Sequence, residues 1–253
     1  MKRIIKKGLR TLGMDIVRVK PETPPAARYA KNLWFEADPE FNALYRGGLE
    51  KTGTPEADEK RRARFYNLLH LARQTHHLDG AMVECGCWKG LSSFIMLSDL
   101  QRHDADFKGQ GYFICDSFAG LSEPTNHDVI HDPKVGVEVG GQSGGFSASL
   151  EEVRANLSEF PEVDFYPGWL PISLSDIPDQ AYRFVHIDLD LYEPIQGTVE
   201  YFYPRLVRGG ILLCDDYGSL LWPGAKNAID QYCRQHAIRL LPLSTGQAVL
   251  WKW

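Results

Sequence analysis

Long apolar runs are missing. No stretch approaches the ~18 consecutive apolar residues that a membrane-spanning helix needs, and none is followed by the small-residue cleavage site of a secretory leader. The body of the protein is therefore expected in the cytoplasm. Cysteine is sparse and unpatterned: Cys85, Cys87, Cys115, Cys214 and Cys233 form an odd set without a CxxC pair, and four of them fall in strand-like stretches. A thiol there behaves as a small buried hydrophobe, so free thiols in a reducing compartment are expected, not zinc or disulfides. Surplus positive charge is absent from the main body. Residues 1–20 hold seven Lys or Arg against one acid, Asp15, so they carry +6 of a chain whose formal total is −5, and the remainder carries −11. A basic nucleic-acid face on the body is not supported.

What is present fits one large α/β domain with some decoration: 253 residues, 43% of them hydrophobic, are too few for two full domains. The chain is organised around Phe184 to Tyr192, FVHIDLDLY, and its echo Ile211 to Tyr217, ILLCDDY. Each begins as a β-branched and aromatic run, the pattern of a buried parallel strand, and each ends in carboxylates where the strand gives way to a loop. Two strands thus deliver Asp188, Asp190, Asp215 and Asp216 to one edge. Ligands of open α/β sheets bind at that carboxyl edge. Several carboxylates converging there repel one another unless a hard cation sits among them, which predicts a divalent metal held by oxygen. The bland alternative, helix capping, accounts for Asp190 or Asp216 alone but not for DLD and DD together.

A second ligand is expected beside that metal. The first clear strand, Ala81 to Cys87, runs into Glu84-Cys-Gly86-Cys-Trp88-Lys-Gly90-Leu-Ser92-Ser93: an acid on a strand, glycines allowing close backbone approach, and a helix start carrying hydroxyls. Such turns cradle adenosine-type cofactors. The third glycine of the dinucleotide pattern G-x-G-x-x-G is missing, which argues against a nicotinamide enzyme. The next strand, Gly111 to Cys115, ends in Asp116-Ser117, and an acid at that tip suits the two hydroxyls of a ribose. A mere turn-forming role for Asp116 is the alternative.

The remaining chain frames these two sites. Residues 1–19 place Ile4, Ile5, Leu9, Leu12 and Ile16 on one helical stripe among basic residues, which suits an arm packing on the body or a partner chain, or lying on an anionic membrane surface. Residues 1–53 are expected to be an arm or cap, rich in exposed-looking aromatics (Trp34, Phe35, Phe41, Tyr45), and residues 54–253 the catalytic domain. Thr54-Pro55 followed by acids predicts a helix start, with Phe65, Leu68, Leu69 and Ala72 as the apolar face. Residues 122–148 show three glycine clusters and almost no periodicity, as a mobile lid would. Within it, His127-Asp128-x-x-His131-Asp132 imitates a metal site, but histidines in a polar loop are expected to be solvated. A strand at Val163 to Tyr166 leads into Pro167-Gly168-Trp169, and the turn Thr245-Gly246 is too short for a helical crossover, so the last strand must run antiparallel.

Five βα units and a terminal hairpin make a seven-stranded sheet, the layout of class I S-adenosylmethionine (SAM) methyltransferases. The stretches VECGCWKGLSS, CDSFAGL, YPGW, HIDLDLYEP and GGILLCDDYG, spread over residues 82–218, resemble the macrocin and mycinamicin sugar O-methyltransferases, with the novobiocin-type enzyme close by. The resemblance implies a Rossmann-like sheet of order 3-2-1-4-5-7-6 with helices on both faces, and Mg²⁺-dependent (or Mn²⁺-dependent) methylation of a sugar hydroxyl. Metal ligands then fall on Asp188, Asp215 and Asp216. SAM falls on Glu84, Gly86, Trp88, Gly90, Ser92, Ser93, Asp116, Ser117, Gly168 and Trp169. Asp188 is placed in the catalytic centre, and Asp190, His127 or His131 takes the proton. A glycoside acceptor and a homo-oligomer are implied. Leu189 stands where the family usually has Gly, and residues 1–50 match poorly, so the acceptor pocket does not carry over. Alternatives are a catechol-type O-methyltransferase and a nucleotide-sugar oxidoreductase; a non-catalytic binding protein would have no reason to keep four edge carboxylates.

Overall fold

A computed structural model describes residues 34–57, 59–132, 136–139 and 143–253. The basic stripe of residues 1–19 lies outside them, as do the side chains of Trp34 and His131. By its contacts the chain divides into Met1–Asp38 and Pro39–Trp253. In the first unit the described residues form one short helix, α1 (Trp34–Ala37).

In the second unit seven strands form one sheet: β1 (Ala81–Cys85), β2 (Tyr112–Asp116), β5 (Asp164–Pro167), β6 (Tyr182–Ile187), β7 (Leu206–Cys214), β8 (Leu240–Pro242) and β9 (Ala248–Trp251). Their order is β5-β2-β1-β6-β7-β9-β8, the expected 3-2-1-4-5-7-6 arrangement. The first five pair in parallel and β9 runs antiparallel to both neighbours. The apolar strands are sandwiched between two helical layers, which is why they read as unbroken hydrophobic runs. Val83, Cys85, Val185, Ile187 and Leu212 face α6 (Tyr192–Arg205) and α7 (Pro223–Gln235). Met82, Phe184, Ile211 and Leu213 face α3 (Glu59–Arg73) and α4 (Leu91–His103). The five cysteines are free and buried.

Several expectations need correction. Phe35, Phe41 and Tyr45 are buried, not exposed. Phe41 and Tyr45 belong to a helix, α2 (Pro39–Thr52), whose Gly47 and Gly48 let it lie against Leu91 and Phe94 of α4. This part of the expected arm therefore packs on α4, and a division by contacts falls at Asp38/Pro39. Thr54 caps no helix: its hydroxyl pairs with that of Thr52 at 2.7 Å, and α3 begins only at Glu59. The unit after β5 holds a 3₁₀ turn, Ile172–Asp176, in place of an α-helix, because Pro171 and Pro178 leave too few residues between them. Residues 122–148 are not all irregular, since β3 (Val129–Asp132) and β4 (Gly136–Val139) pair antiparallel, carried by β-branched Val129, Ile130, Val137 and Val139. Among the described residues no helix is long and apolar enough to cross a membrane.

Truncating Phe41 tests whether α2 is structural. Replacement by Ala removes a fully buried ring and should lower stability by about 3–5 kcal/mol in urea denaturation; a detachable cap would leave the midpoint unmoved.

Candidate active site

Register builds the site. Parallel pairing sets Cys85 beside Cys115 on one side and Ile187 on the other, and Ile187 beside Cys214. The residues that follow, Asp116, Gly86, Asp188 and Asp215, therefore leave the sheet as neighbours along its carboxyl edge. Gly86 has a φ of +85°, and a Cβ there would collide with the backbone oxygen of Asp188, so only glycine lets the β1 turn lie against the DLD loop. Asp116 braces the same turn. Its Oδ2 accepts from the Cys87 N–H at 2.7 Å and its Oδ1 from the Phe118 N–H at 2.8 Å. Asp116 is thus a turn former while still lining the cavity.

That cavity, about 380 Å³, is where the expected residues can be sorted. Gly86, Trp88, Asp116, Ser117 and Trp169 line one part; Asp188, Asp190, Asp215 and Asp216 line another, and Leu121, Phe146 and Leu221 add an apolar wall. Glu84, Gly90, Ser92, Ser93 and Gly168 do not line it. Glu84 is buried beneath the turn, where its carboxylate accepts from the hydroxyls of Ser93 and Tyr112 and contacts His186 Nδ1 at 2.9 Å. His127 also stays outside, its ring stacked on Tyr192 at 4.0 Å. Its neighbour Asp128 is buried and accepts from the Tyr192 N–H at 2.8 Å, capping α6 from a distance. Asp190 is therefore not the cap; it holds a φ of +61° and donates its backbone N–H to Asp216 Oδ2 at 3.2 Å.

The aspartates converge, though not as a single trio. Ligand atoms of Asp188, Asp190 and Asp216 form one close group and those of His186, Asp188 and Asp215 another, with Asp188 common to both. Their charge is met by a residue that sequence reading missed. Arg64 of α3 directs Nη2 at Asp215, at Asp216 Oδ1 (3.2 Å) and toward Asp188 Oδ1 (3.9 Å). These acids hold the Arg64 proton more firmly than usual, against the opposing effect of burial. Gln247, fully buried, donates to Asp215 Oδ1 at 2.6 Å. Nothing in RRARF singles out Arg64, because a guanidinium on a basic helix is ordinarily solvated. His186 did carry a signal, as it lies two residues before Asp188 and so on the same strand face.

Even with Arg64 present, the cluster strains to stay ionised. Burial, and then the charge of Asp188, push the Asp190 carboxyl up to about 8, and burial with its acidic neighbours raises Asp216 as well. An all-oxygen set of such carboxyls fits a hard divalent cation, which would compete with Arg64 and with protons for the same oxygens.

Comparison with known proteins follows the same lines. The family model described as macrocin O-methyltransferase matches residues 58–252. Demethyldecarbamoylnovobiocin O-methyltransferase of Streptomyces niveus is 29% identical over 161 residues, 62% of this chain and 59% of that protein. The 8-demethyl-8-(2,3-dimethoxy-alpha-L-rhamnosyl)-tetracenomycin-C 4'-O-methyltransferase of Streptomyces olivaceus is 30% identical over 181 residues, 68% of this chain and 66% of that protein. The chain thus spans 59% and 66% of the lengths of these curated relatives. Among solved structures, the O-methyltransferase NovP superposes with a TM-score of 0.61 at 26% identity, over 75% of this chain and 79% of that one. A calicheamicin methyltransferase shares the fold, with a TM-score of 0.60 at 17% identity over 92% of this chain and 99% of that one.

The raised Asp190 sets a pH dependence in metal-free protein. The folded state keeps a proton that the unfolded chain releases near its ordinary carboxyl value, so this contribution is fully present below about pH 4 and is lost as pH rises through about 8. In EDTA the melting temperature should fall between pH 5.5 and 8.5, and Asp190→Asn should flatten that fall; an unchanged slope would show that Asp190 titrates normally.

Proposed function

Because the chain belongs to the macrocin O-methyltransferase family, we propose that it transfers a methyl group from SAM to a hydroxyl of a sugar in a glycosylated metabolite or glycan, with Mg²⁺ or Mn²⁺ as its metal. The observation that carries this reading is one cavity bordered both by the Gly86–Asp116 turns and by the four carboxylates. The names of the relatives, a novobiocin-type and a rhamnosyl-tetracenomycin enzyme, support a glycoside as acceptor.

In this reading Asp116 accepts from the ribose hydroxyls with the lone pairs its two backbone partners leave free, Gly86 and Trp88 supply close backbone, and Ser117 and Trp169 flank them. Asp188, Asp215 and Asp216 hold the divalent cation, in competition with Arg64. SAM supplies a methyl group on a sulfonium, already a good leaving group, and a divalent cation supplies Lewis acidity that makes a nearby hydroxyl easier to deprotonate. The chain is left with alignment and with removal of one proton. Asp190 is the better-placed acceptor of that proton: it borders the cavity, whereas His127 is turned away onto Tyr192, and a divalent cation on the neighbouring aspartates would favour the ionised carboxylate that can take it. Residues 122–148 act as the lid, with Phe146 within it and the adjacent Leu121 supplying an apolar wall against water. Five buried free thiols fit a reducing cytoplasm, and the basic stripe of residues 1–19 suits contact with an anionic membrane face.

Two measurements test the reading. Replacing Asp116 by Asn removes a charge-assisted bond worth about 1.5–3 kcal/mol, so SAM affinity by calorimetry should drop about tenfold or more; unchanged affinity would place the ribose elsewhere. In a mass-spectrometric panel, glycosides with vicinal hydroxyls should gain one methyl group and simple catechols little. That transfer should stop in EDTA, return with Mg²⁺ or Mn²⁺, and be lost in Asp188→Asn. Turnover of catechols but not glycosides would favour the catechol-type alternative.

A further inference from the structure

We propose that Gln247 is a metal-selectivity residue: by claiming one oxygen of Asp215 it leaves the centre a single oxygen from that carboxylate and so favours Mg²⁺ or Mn²⁺ over Ca²⁺, an inference that rests on the metal reading above. Arg64 marks the face on which a cation is received. Its Nη2 meets one oxygen of each aspartate: Oδ2 of Asp215, Oδ1 of Asp216 at 3.2 Å and, farther off, Oδ1 of Asp188 at 3.9 Å. The second oxygens of Asp215 and Asp216 are already taken by neutral donors. Gln247 Nε2 reaches Asp215 Oδ1 at 2.6 Å, and the Asp190 N–H reaches Asp216 Oδ2 at 3.2 Å. The donor from Asp190 is backbone, so Gln247 is the side chain on which the pattern depends.

Gln247 is held as firmly as it holds. β9 pairs antiparallel with β7, Ala248 beside Cys214, which sets Gln247 next to Asp215. The orientation of its amide is fixed, because the same Nε2 also donates to the Arg64 carbonyl at 3.2 Å, a group that can only accept. Oε1 then accepts from the Thr245 hydroxyl at 2.8 Å and from Asn67 Nδ2 at 3.1 Å. Both N–H groups and both lone pairs are thereby used, and the side chain is fully buried. Turning it away from Asp215 would break several of these bonds at once.

The consequence is for coordination number. Ca²⁺ gathers about six to eight oxygens and often takes both oxygens of a carboxylate to reach that count, whereas Mg²⁺ keeps about six ligands at ~2.1 Å, several of them water. Single oxygens from Asp188, Asp215 and Asp216 fill about half of an octahedral shell and leave the rest to water and the hydroxyls of an acceptor. For Ca²⁺ they are too few, and Gln247 and the Asp190 N–H stand on the oxygens that would make up the number.

Calorimetric titration of the metal-free full chain with Mg²⁺, Mn²⁺ and Ca²⁺ in turn decides the matter. The unaltered protein should bind Ca²⁺ about tenfold or more below Mg²⁺ and Mn²⁺. Gln247→Met keeps the length of the side chain but frees Asp215 Oδ1, and should raise the affinity for Ca²⁺ relative to Mg²⁺ by about tenfold. A merely structural role would weaken all three ions together, so an unmoved ratio overturns the proposal. If Gln247→Met does not fold, Asn67→Ala combined with Thr245→Val loosens the amide from its far end and should move the ratio the same way; a fixed ratio there overturns the proposal equally. Ca²⁺ bound as tightly as Mg²⁺ by the unaltered protein would overturn the role of Gln247 with no variant needed and leave the aspartate centre standing. Failure of all three ions to bind would remove the metal reading and this inference together.

Discussion

Mutual repulsion among buried carboxylates is the constraint on which this structure turns. Two like charges about 4 Å apart cost about 4 kcal/mol each time at the effective dielectric of a protein surface, and here Asp188, Asp190, Asp215 and Asp216 crowd one sheet edge. The fold answers with three neutralising devices. Arg64 reaches in from α3, Gln247 donates from the start of the β9 hairpin, and Asp190 and Asp216 hold protons far above the ordinary carboxyl range. Each device is a stand-in for a cation, and each brings an element of the outer layers to bear on the same few oxygens. A divalent cation bound among these oxygens would compete with the same devices.

The glycine turn couples this edge to the rest of the cavity. Gly86 touches the backbone of Asp188, while Asp116 grips the turn through the Cys87 N–H. Any shift of the DLD loop is thus felt at Asp116 through a chain of rigid backbone contacts. The segment after β2 is tied in by another such contact. Asp128 caps the α6 helix at Tyr192, immediately after the DLD stretch, and His127 stacks on the same tyrosine ring. Residues 127 and 128 are in this way fastened beside the loop that carries two of the carboxylates.

The sheet was legible in the sequence because buried parallel strands read as apolar runs and because acids at their ends had no place in a core. Asp116, Asp188, Asp190, Asp215 and Asp216 were found on that ground alone. α2 was missed for a related reason: aromatic residues such as Phe41 and Tyr45 look exposed when the helix that would cover them, α4, lies far along the chain. The β3–β4 ribbon was missed because glycines mask its short β-branched segments.

Local pattern, then, determined the strands and their carboxyl tips, since each depends on neighbours in sequence, while the seven-stranded order came from the family resemblance. What only the tertiary structure decided was pairing over distance. That Arg64 reaches Asp188, Asp215 and Asp216 depends on the rotation of α3 against the sheet. That Glu84 braces His186 and does not line the 380 Å³ cavity depends on the register of β1 with β6. Electrostatic partners are chosen by which side chains a packed fold brings within a few ångströms, and a single sequence carries no term for that distance.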